Sequence, residues 1–313
     1  MATVVVTHGV PREGFAALED VHRLVMPAPL CAFSRADLAR LLPEADAVVA
    51  CGPLDGRLIA LARRLRIIAN YGSGYDAVDV AAAAALGIPV TNIPDVTAQA
   101  TAELAIGLML AVSRRIGEMN LRLRLQAPET LFGMGREMSR TLRGKRLAVI
   151  GMGRIGQEVA RMAQALGMKV DGLRRRDAPD SSLREAALSL LVQADVVSLH
   201  CPLTPETRAL MDAAAFARMK PGSLLINTAR GAIVDSDALA DAIECGHLAG
   251  AGLDVYPQEP AIPPRLLALP QVVLTPHTGT NTVETRFAMA EACARQILAA
   301  LEGRRPTPIV NGL

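Results

Sequence analysis

The chain has 313 residues, 51% of them hydrophobic, which is material for two domains with sizeable cores. Its 33 Lys and Arg nearly balance 31 Asp and Glu, leaving a net charge of +2 with the two signs interspersed. That balance excludes the basic face or arm of a nucleic-acid binder. The five cysteines (Cys31, Cys51, Cys201, Cys245 and Cys293) are scattered without a C-x-x-C pair, which suits reduced thiols in a cytoplasmic protein better than disulfides or a metal site.

A strand-like run starts at once in ATVVVTHG, so no signal peptide is expected. Residues 1–92 alternate strand and helix patterns. Strand candidates fall at 3–7, 23–26, 47–50, 65–69 and 89–92, with helical patterns at 12–18, 35–42, 58–64 and 80–86. This rhythm predicts a parallel sheet covered by helices. Between the fourth strand and the helix capped by Asp79 lies Asn70-Tyr71-Gly72-Ser73-Gly74-Tyr75-Asp76. It is a glycine-rich loop at the carboxyl end of a strand, where open α/β sheets bind ligands. Its N–H groups can form a nest for a small anion, and a plain turn accounts for it equally well.

Residues 97–116 read as one long helix, apolar on nearly every side and therefore buried. Its most apolar part, 104–112, sits between Glu103 and Arg114 and is too short to cross a bilayer. Residues 117–142 show no strong period, and Pro128, Gly133 and Gly135 interrupt them, so an irregular arm is expected.

Residues 147–176, LAVIGMGRIGQEVARMAQALGMKVDGLRRR, then read as strand, glycine loop, helix and strand. In that context Gly151, Gly153 and Gly156 form a dinucleotide-binding fingerprint, with Arg154 and Ile155 opening the helix. Gly151 permits the tight turn, Gly153 lets backbone approach a pyrophosphate, and Gly156 lets the helix pack on its strand. The helix N-terminus offers N–H groups and a positive dipole end to phosphate. Asp171 lies 20 residues after Gly151, near where an NAD site carries the acidic residue for the ribose 2′-hydroxyl. Gly172 and Leu173, however, continue the strand past it. The tip residue is Arg174, followed by Arg175 and Arg176, and guanidinium groups suit a 2′-phosphate. NADP(H) is therefore expected over NAD(H).

The alternation resumes with strands at 195–200, 223–227, 251–255 and 272–274 and helices at 236–245 and 283–301. Arg230, Glu259 and His277 follow three of these strands, at the edge where a nicotinamide is expected. Each has an ordinary reading by itself: a surface charge, a turn residue before Pro260, a core histidine. Together they match hydride transfer to a 2-keto acid. The substrate carboxylate needs a bidentate cation, the developing alkoxide needs a proton donor, and the donor needs a carboxylate to hold it.

Along essentially its full length the chain resembles the D-isomer-specific 2-hydroxyacid dehydrogenases. The resemblance rests on NYGSGYDAVD, TAELAIGLMLA, GMGRIG, HCPLTPETRALMD, NTARGAIVD, GLDVYPQEP and TPHTGTNTVETR, in that order. It implies Arg230 as substrate-binding, Glu259 as the support of the histidine and His277 as acid/base and substrate contact. It also implies Asp254 as a contact to the nicotinamide amide, and the backbone of Gly72, Ser73 and Gly74 as the carboxylate anchor. Thr101, Cys201, Pro202 and Thr207 complete the candidate cofactor contacts.

The architecture expected is α/β: two Rossmann/flavodoxin-like parallel-sheet domains with an active-site cleft between them. Residues 1–98 with 284–313 are expected to bind substrate and 99–283 the dinucleotide. The resemblance also implies a homodimer acting on a small 2-keto or 2-hydroxy acid, without metal, nucleic acid or membrane. NADP-type glyoxylate and hydroxypyruvate reductases look nearest. Ser73 stands where phosphite-oxidising relatives carry lysine, and His277-Thr278-Gly279 lacks the following serine typical of formate dehydrogenases. A non-catalytic NADP-sensing, corepressor-like protein is the alternative from another class.

Overall fold

Short apolar runs rich in Val, Ile, Leu and Ala become parallel strands buried on both faces, the pattern that helix-covered sheets require. A computed structural model describes residues 1–125, 129, 131–175 and 182–313. Two compact units emerge, Met1–Thr97 with Thr280–Leu313, and Ala98–Gly279. Each is built on a parallel sheet, as the alternation of patterns predicts.

The first unit contains β1 (Thr3–Val6), β2 (Arg23–Val25), β3 (Ala47–Ala50), β4 (Ile68–Asn70) and β5 (Val90–Thr91), in the order β2-β1-β3-β4-β5. Alternate residues serve opposite faces. Val4, Val6 and Val49 pack with Met289, Cys293 and Ile297 of the helix Val283–Leu301. Val5, Val48 and Ile68 pack with Leu38 and Leu58 on the other side. The C-terminal helix thus completes a core begun almost 300 residues earlier in the chain. Its buried Gln296 donates to Asn92 O (2.9 Å) and Thr307 O (3.1 Å) and accepts from Thr91 Oγ1 (2.8 Å). Arg66 donates to Leu301 O and Ala300 O at the helix end, both at 2.9 Å.

The second unit contains β6 (Arg146–Ile150), β7 (Lys169–Leu173), β8 (Val196–Leu199), β9 (Ser223–Asn227), β10 (Leu248–Leu253) and β11 (Val272–Leu274). Their order is β11-β10-β9-β8-β6-β7, so the direction of winding reverses between β6 and β8. That switch point is where an open α/β sheet offers a crevice at its carboxyl edge.

Three sequence expectations need correction. The long helix runs Pro94–Ser113 rather than 97–116. Proline suits a helix start because its missing N–H has no partner there, and Arg115 at φ +54° breaks the run. At 20 residues this helix is long and apolar enough to cross a bilayer by length and composition, unlike the nine-residue core read from the sequence. Its Ala102, Ala105, Leu108, Met109 and Val112 are instead buried against Leu147, Val149 and Ile226. Finally, the arm after it opens with a further helix, Ile116–Leu125, which buries no residue. Ion pairs rather than an apolar stripe accompany it: Glu118 and Glu137 receive Arg115 (2.5 and 3.0 Å), and Glu137 also receives Arg122 (2.7 Å). Without a buried face, no apolar period announces it. Pro128 and Arg176 lie outside the described residues.

Candidate active site

The glycine loop sits at the switch point, and at two of its positions nothing larger than glycine fits. Gly151 has φ +103°, and a Cβ there would lie 2.5 Å from both Cys201 N and His200 C. A Cβ on Gly156 would lie 2.2 Å from Gly151 O. Gly153 differs, since a Cβ there meets nothing within 4 Å. The protein's own packing leaves room at Gly153, the approach a pyrophosphate needs. The helix Arg154–Ala165 starts directly after it, and Ile155 turns partly into the core.

A cavity of about 400 Å³ adjoins the loop, of a size that suits a small-molecule site. Gly151, Gly153, Arg174, Arg175, Cys201, Pro202 and Thr207 line it, so most of the candidate cofactor contacts gather around one cavity. Asp171 pairs with Ala148 in mid-sheet, whereas Leu173 pairs with Ile150 at the strand end. The Asp171 carboxylate accepts from Arg146 Nη1 at 2.9 Å. It is therefore short of the tip and already engaged, and Arg174 follows the tip. Arg175 faces Glu206 at 4.0 Å.

His200, which sequence reading passed over, also lines this cavity. Its ring is held by Ser198 Oγ at 2.8 Å, with Thr228 Oγ1 at 3.4 Å, and burial pushes its pKa down to about 4. The unfolded chain takes up that proton near pH 6.5, and the folded chain only near 4. Stability should accordingly fall as pH drops through that window. In urea titrations His200→Asn should lose less stability between pH 6.5 and 4 than the parent does. An equal loss would place the acid sensitivity elsewhere.

Arg230, Glu259 and His277 lie beyond β9, β10 and β11, three neighbouring parallel strands, and so on one sheet edge. Arg230 is presented by a turn that Asn227 fastens at both ends. Asn227 Oδ1 accepts from Ala229 N (3.0 Å), and its Nδ2 donates to Arg230 O (2.9 Å). A Cβ on Gly231 would come within 2.0 Å of Tyr256 C, so only glycine lets this turn lie against the next loop.

That next loop fixes Glu259. Its Oε1 accepts from Tyr256 N at 3.0 Å, while Oε2 meets His277 Nδ1 at 2.6 Å. A carboxylate there selects the tautomer with the proton on Nδ1 and directs Nε2 outward. The His277 side chain is 51% exposed, so Nε2 can reach a ligand. The histidine backbone is at φ +54°, uncommon for a residue with a Cβ. Asp254 holds it there. Its carboxylate accepts from Thr275 Oγ1 (2.5 Å), Thr278 N (2.8 Å), Thr278 Oγ1 (3.3 Å) and Gly279 N (2.9 Å). Oδ1 takes three of these bonds and Oδ2 the fourth, and Asp254 is 1% exposed. The structure thus gives Asp254 a positioning task that its motif did not reveal. Thr101 is buried beside it, both within reach of a Cβ placed on Gly279.

In the first unit, the loop after β4 is organised by asparagines. Asn70 Nδ2 donates to Gly72 O and Gly74 O, both at 3.0 Å, and Asn92 Nδ2 donates to Ser73 O at 2.7 Å. In a trans peptide the C=O and the following N–H point in opposite directions. Capturing these three carbonyls therefore turns the N–H groups of Ser73, Gly74 and Tyr75 away from the asparagines as a set, the arrangement an anion nest needs. The sequence signal was present in Asn70 and Asn92 but has no meaning until the strands bring them together. Among the described residues no cluster of His, Cys, Asp and Glu could hold a metal ion.

Residues 106–279 match the family model of the NAD-binding domain of D-isomer specific 2-hydroxyacid dehydrogenases. A glyoxylate reductase from Thermococcus litoralis is 38% identical over 324 residues, covering 98% of this chain and 96% of that one. A D-3-phosphoglycerate dehydrogenase from Mycobacterium leprae is 40% identical over 287 residues, covering 88% of this chain and 53% of its own length. Among solved structures, the NADPH-dependent glyoxylate/hydroxypyruvate reductase of Sinorhizobium meliloti, in complex with NADP and malonate, superposes with a TM-score of 0.84 at 30% identity, covering 99% of this chain and 96% of that one. With the model matched over more than half its length and its relatives aligned nearly end to end, this chain belongs to the D-isomer-specific 2-hydroxyacid dehydrogenase family.

Proposed function

We propose that the protein reduces small 2-keto acids of the glyoxylate and hydroxypyruvate type to D-2-hydroxy acids with NADPH. The observation that carries the cofactor reading is Arg174 just past the β7 tip, with Asp171 two residues short of the strand end and engaged by Arg146. The residues that would hold the dinucleotide are Gly151, Gly153 and Gly156 with the helix start at Arg154 and Ile155, then Arg174, Arg175, Cys201, Pro202 and Thr207. Thr101 and Asp254 would serve the nicotinamide end. The bound nicotinamide would supply the hydride.

The chain's own residues do the rest. Arg230 clamps the substrate carboxylate by parallel N–H bonds, and the N–H groups around Gly72, Ser73 and Gly74 anchor the same class of anion. His277 gives a proton from Nε2 to the carbonyl oxygen as charge develops there. Glu259 orients the ring through its 2.6 Å contact with Nδ1. The free thiols found among the described residues suit a cytoplasmic setting. Exposed Leu121, Leu123, Leu125, Phe132, Met134 and Met138 support a homodimer that covers them, which sedimentation would test.

The test is NADPH oxidation on adding glyoxylate. An enzyme turns over, whereas an NADP sensor binds the nucleotide and stops. In the same assay Arg174→Asp should shrink the NADPH-to-NADH ratio of kcat/KM by roughly 10- to 100-fold, because a charge-assisted contact is replaced by repulsion of the 2′-phosphate. A parent protein that prefers NADH would overturn the cofactor assignment.

A further inference from the structure

The carboxyl edge of the second sheet carries the site described above. The opposite edge, where β6, β8 and β9 begin, has a cavity of its own. It measures about 50 Å³ and is lined by Arg140, Lys145, Asp195, Lys220 and Ser223, with Ser113 beside them. One water needs roughly 10–15 Å³ of such space, so the cavity admits a group a few times larger.

Its chemistry is one-sided. Three cations face one carboxylate. Arg140 donates through Nη1 to Gly222 O, and its N–H donates to Ser113 O at 3.0 Å. Lys220 Nζ lies 3.3 Å from Asp195 Oδ1, while Asp195 Oδ2 accepts from Arg146 N at 2.8 Å. Burial works to raise the Asp195 carboxyl, but the Arg146 N–H, Lys220 and Lys145 outweigh it and hold the group below the usual carboxylate range. It therefore stays anionic, and the lining keeps an excess of two positive charges. Ser223, the first residue of β9, is 2% exposed, and its hydroxyl has no hydrogen-bond partner among the described residues. A buried hydroxyl without a partner is destabilising and calls for an acceptor. The lining thus offers cationic donors and an unsatisfied O–H, with a single carboxylate already shared.

We propose that this edge is a binding site for a small tetrahedral oxyanion, phosphate or sulfate, held by Arg140, Lys145, Lys220 and the Ser223 hydroxyl. The assignment is independent of the reaction proposed above, because the residues lie at the other ends of the same strands. An anion bridging Arg140 to Lys220 and Ser223 would fasten the end of the 131–142 segment onto the sheet. Binding should therefore register as stability.

The experiment is thermal unfolding of the full chain in chloride, phosphate, sulfate and glycerol 2-phosphate at equal ionic strength. Phosphate and sulfate should raise Tm saturably where chloride does not. Ser223→Ala should raise the half-saturating concentration roughly tenfold, the value of a hydrogen bond to a charged group. Lys145→Gln, a partly exposed position that should fold normally, should raise it severalfold. Glycerol 2-phosphate acting as phosphate does would show that monoesters enter, and its failure would restrict the site to inorganic ions; either supports the site. A Tm rise that survives both substitutions belongs to phosphate on the glycine loop and overturns the proposal. So does a Ser223→Ala protein that is simply more stable with an unchanged phosphate response, because the hydroxyl then met only water. No rise at all overturns it as well.

Discussion

His277→Gln should lower kcat by roughly 10²–10⁴ with a much smaller change in KM. Glutamine keeps a hydrogen-bond donor near the Nε2 position but cannot pass a proton. The loss should therefore appear where charge develops on the carbonyl oxygen and not in ground-state binding. NADPH binding, followed by fluorescence, should survive, since His277 is far along the chain from the phosphate loop and closes no wall of the 400 Å³ cavity. Glu259→Gln should cost less than His277→Gln. Glutamine can still accept from Tyr256 N and meet Nδ1, so the ring stays held and only the carboxylate charge beside it is lost. If His277→Gln kept near-normal kcat with chemistry rate-limiting, the proton donor would have to be another group.

Arg230→Lys should raise the KM for glyoxylate at least tenfold and lower kcat/KM by roughly 10²-fold or more. A lysine keeps the charge but presents a point donor, and the bidentate fork is what fixes the orientation of a small carboxylate. Misplacing a two-carbon substrate also spoils its reaction geometry, so part of the loss should fall on kcat. Asn227→Ala offers a separate check on the same idea. It leaves the guanidinium in place and removes the two bonds that hold its turn, at Ala229 N and Arg230 O. The expected result is the same direction of change, smaller in size. Arg230→Lys with unaltered KM would mean that the substrate carboxylate is held by other groups.

The resemblance to a known family was legible because its motifs are local. The glycine loop, N-T-A-R-G and T-P-H-T-G each need only a strand end and a few residues beyond it. Their reasons were less visible. Gly231 is needed because Tyr256 backbone, 25 residues later, would occupy the place of its Cβ. Asp254 reads in sequence as a cofactor contact, and the fold shows it gathering four donors from the loop that carries His277. The helix Ile116–Leu125 left no periodic trace because it buries nothing. His200 looked like one residue of a longer motif until burial between Ser198 and Thr228 set it apart.

By itself the sequence determined the class of fold and the parallel alternation of strands and helices, and it marked the glycine loop and Arg230, Glu259 and His277 as candidates. These follow from period, glycine spacing and residue type, all properties of neighbours along the chain. Only the tertiary structure decided the strand order β11-β10-β9-β8-β6-β7, which puts the winding reversal beside Gly151 and the three polar residues on adjacent strands. Likewise it alone set the 2.6 Å contact of Glu259 with His277, the asparagine clamps under the loop 72–74, and the cationic cavity at the far edge. Apart from the local Asn70 bonds to Gly72 and Gly74, these join residues from 18 to more than 80 positions apart. Hydrogen bonds and close packing act over a few ångströms, so such pairings exist only once the strands are laid side by side.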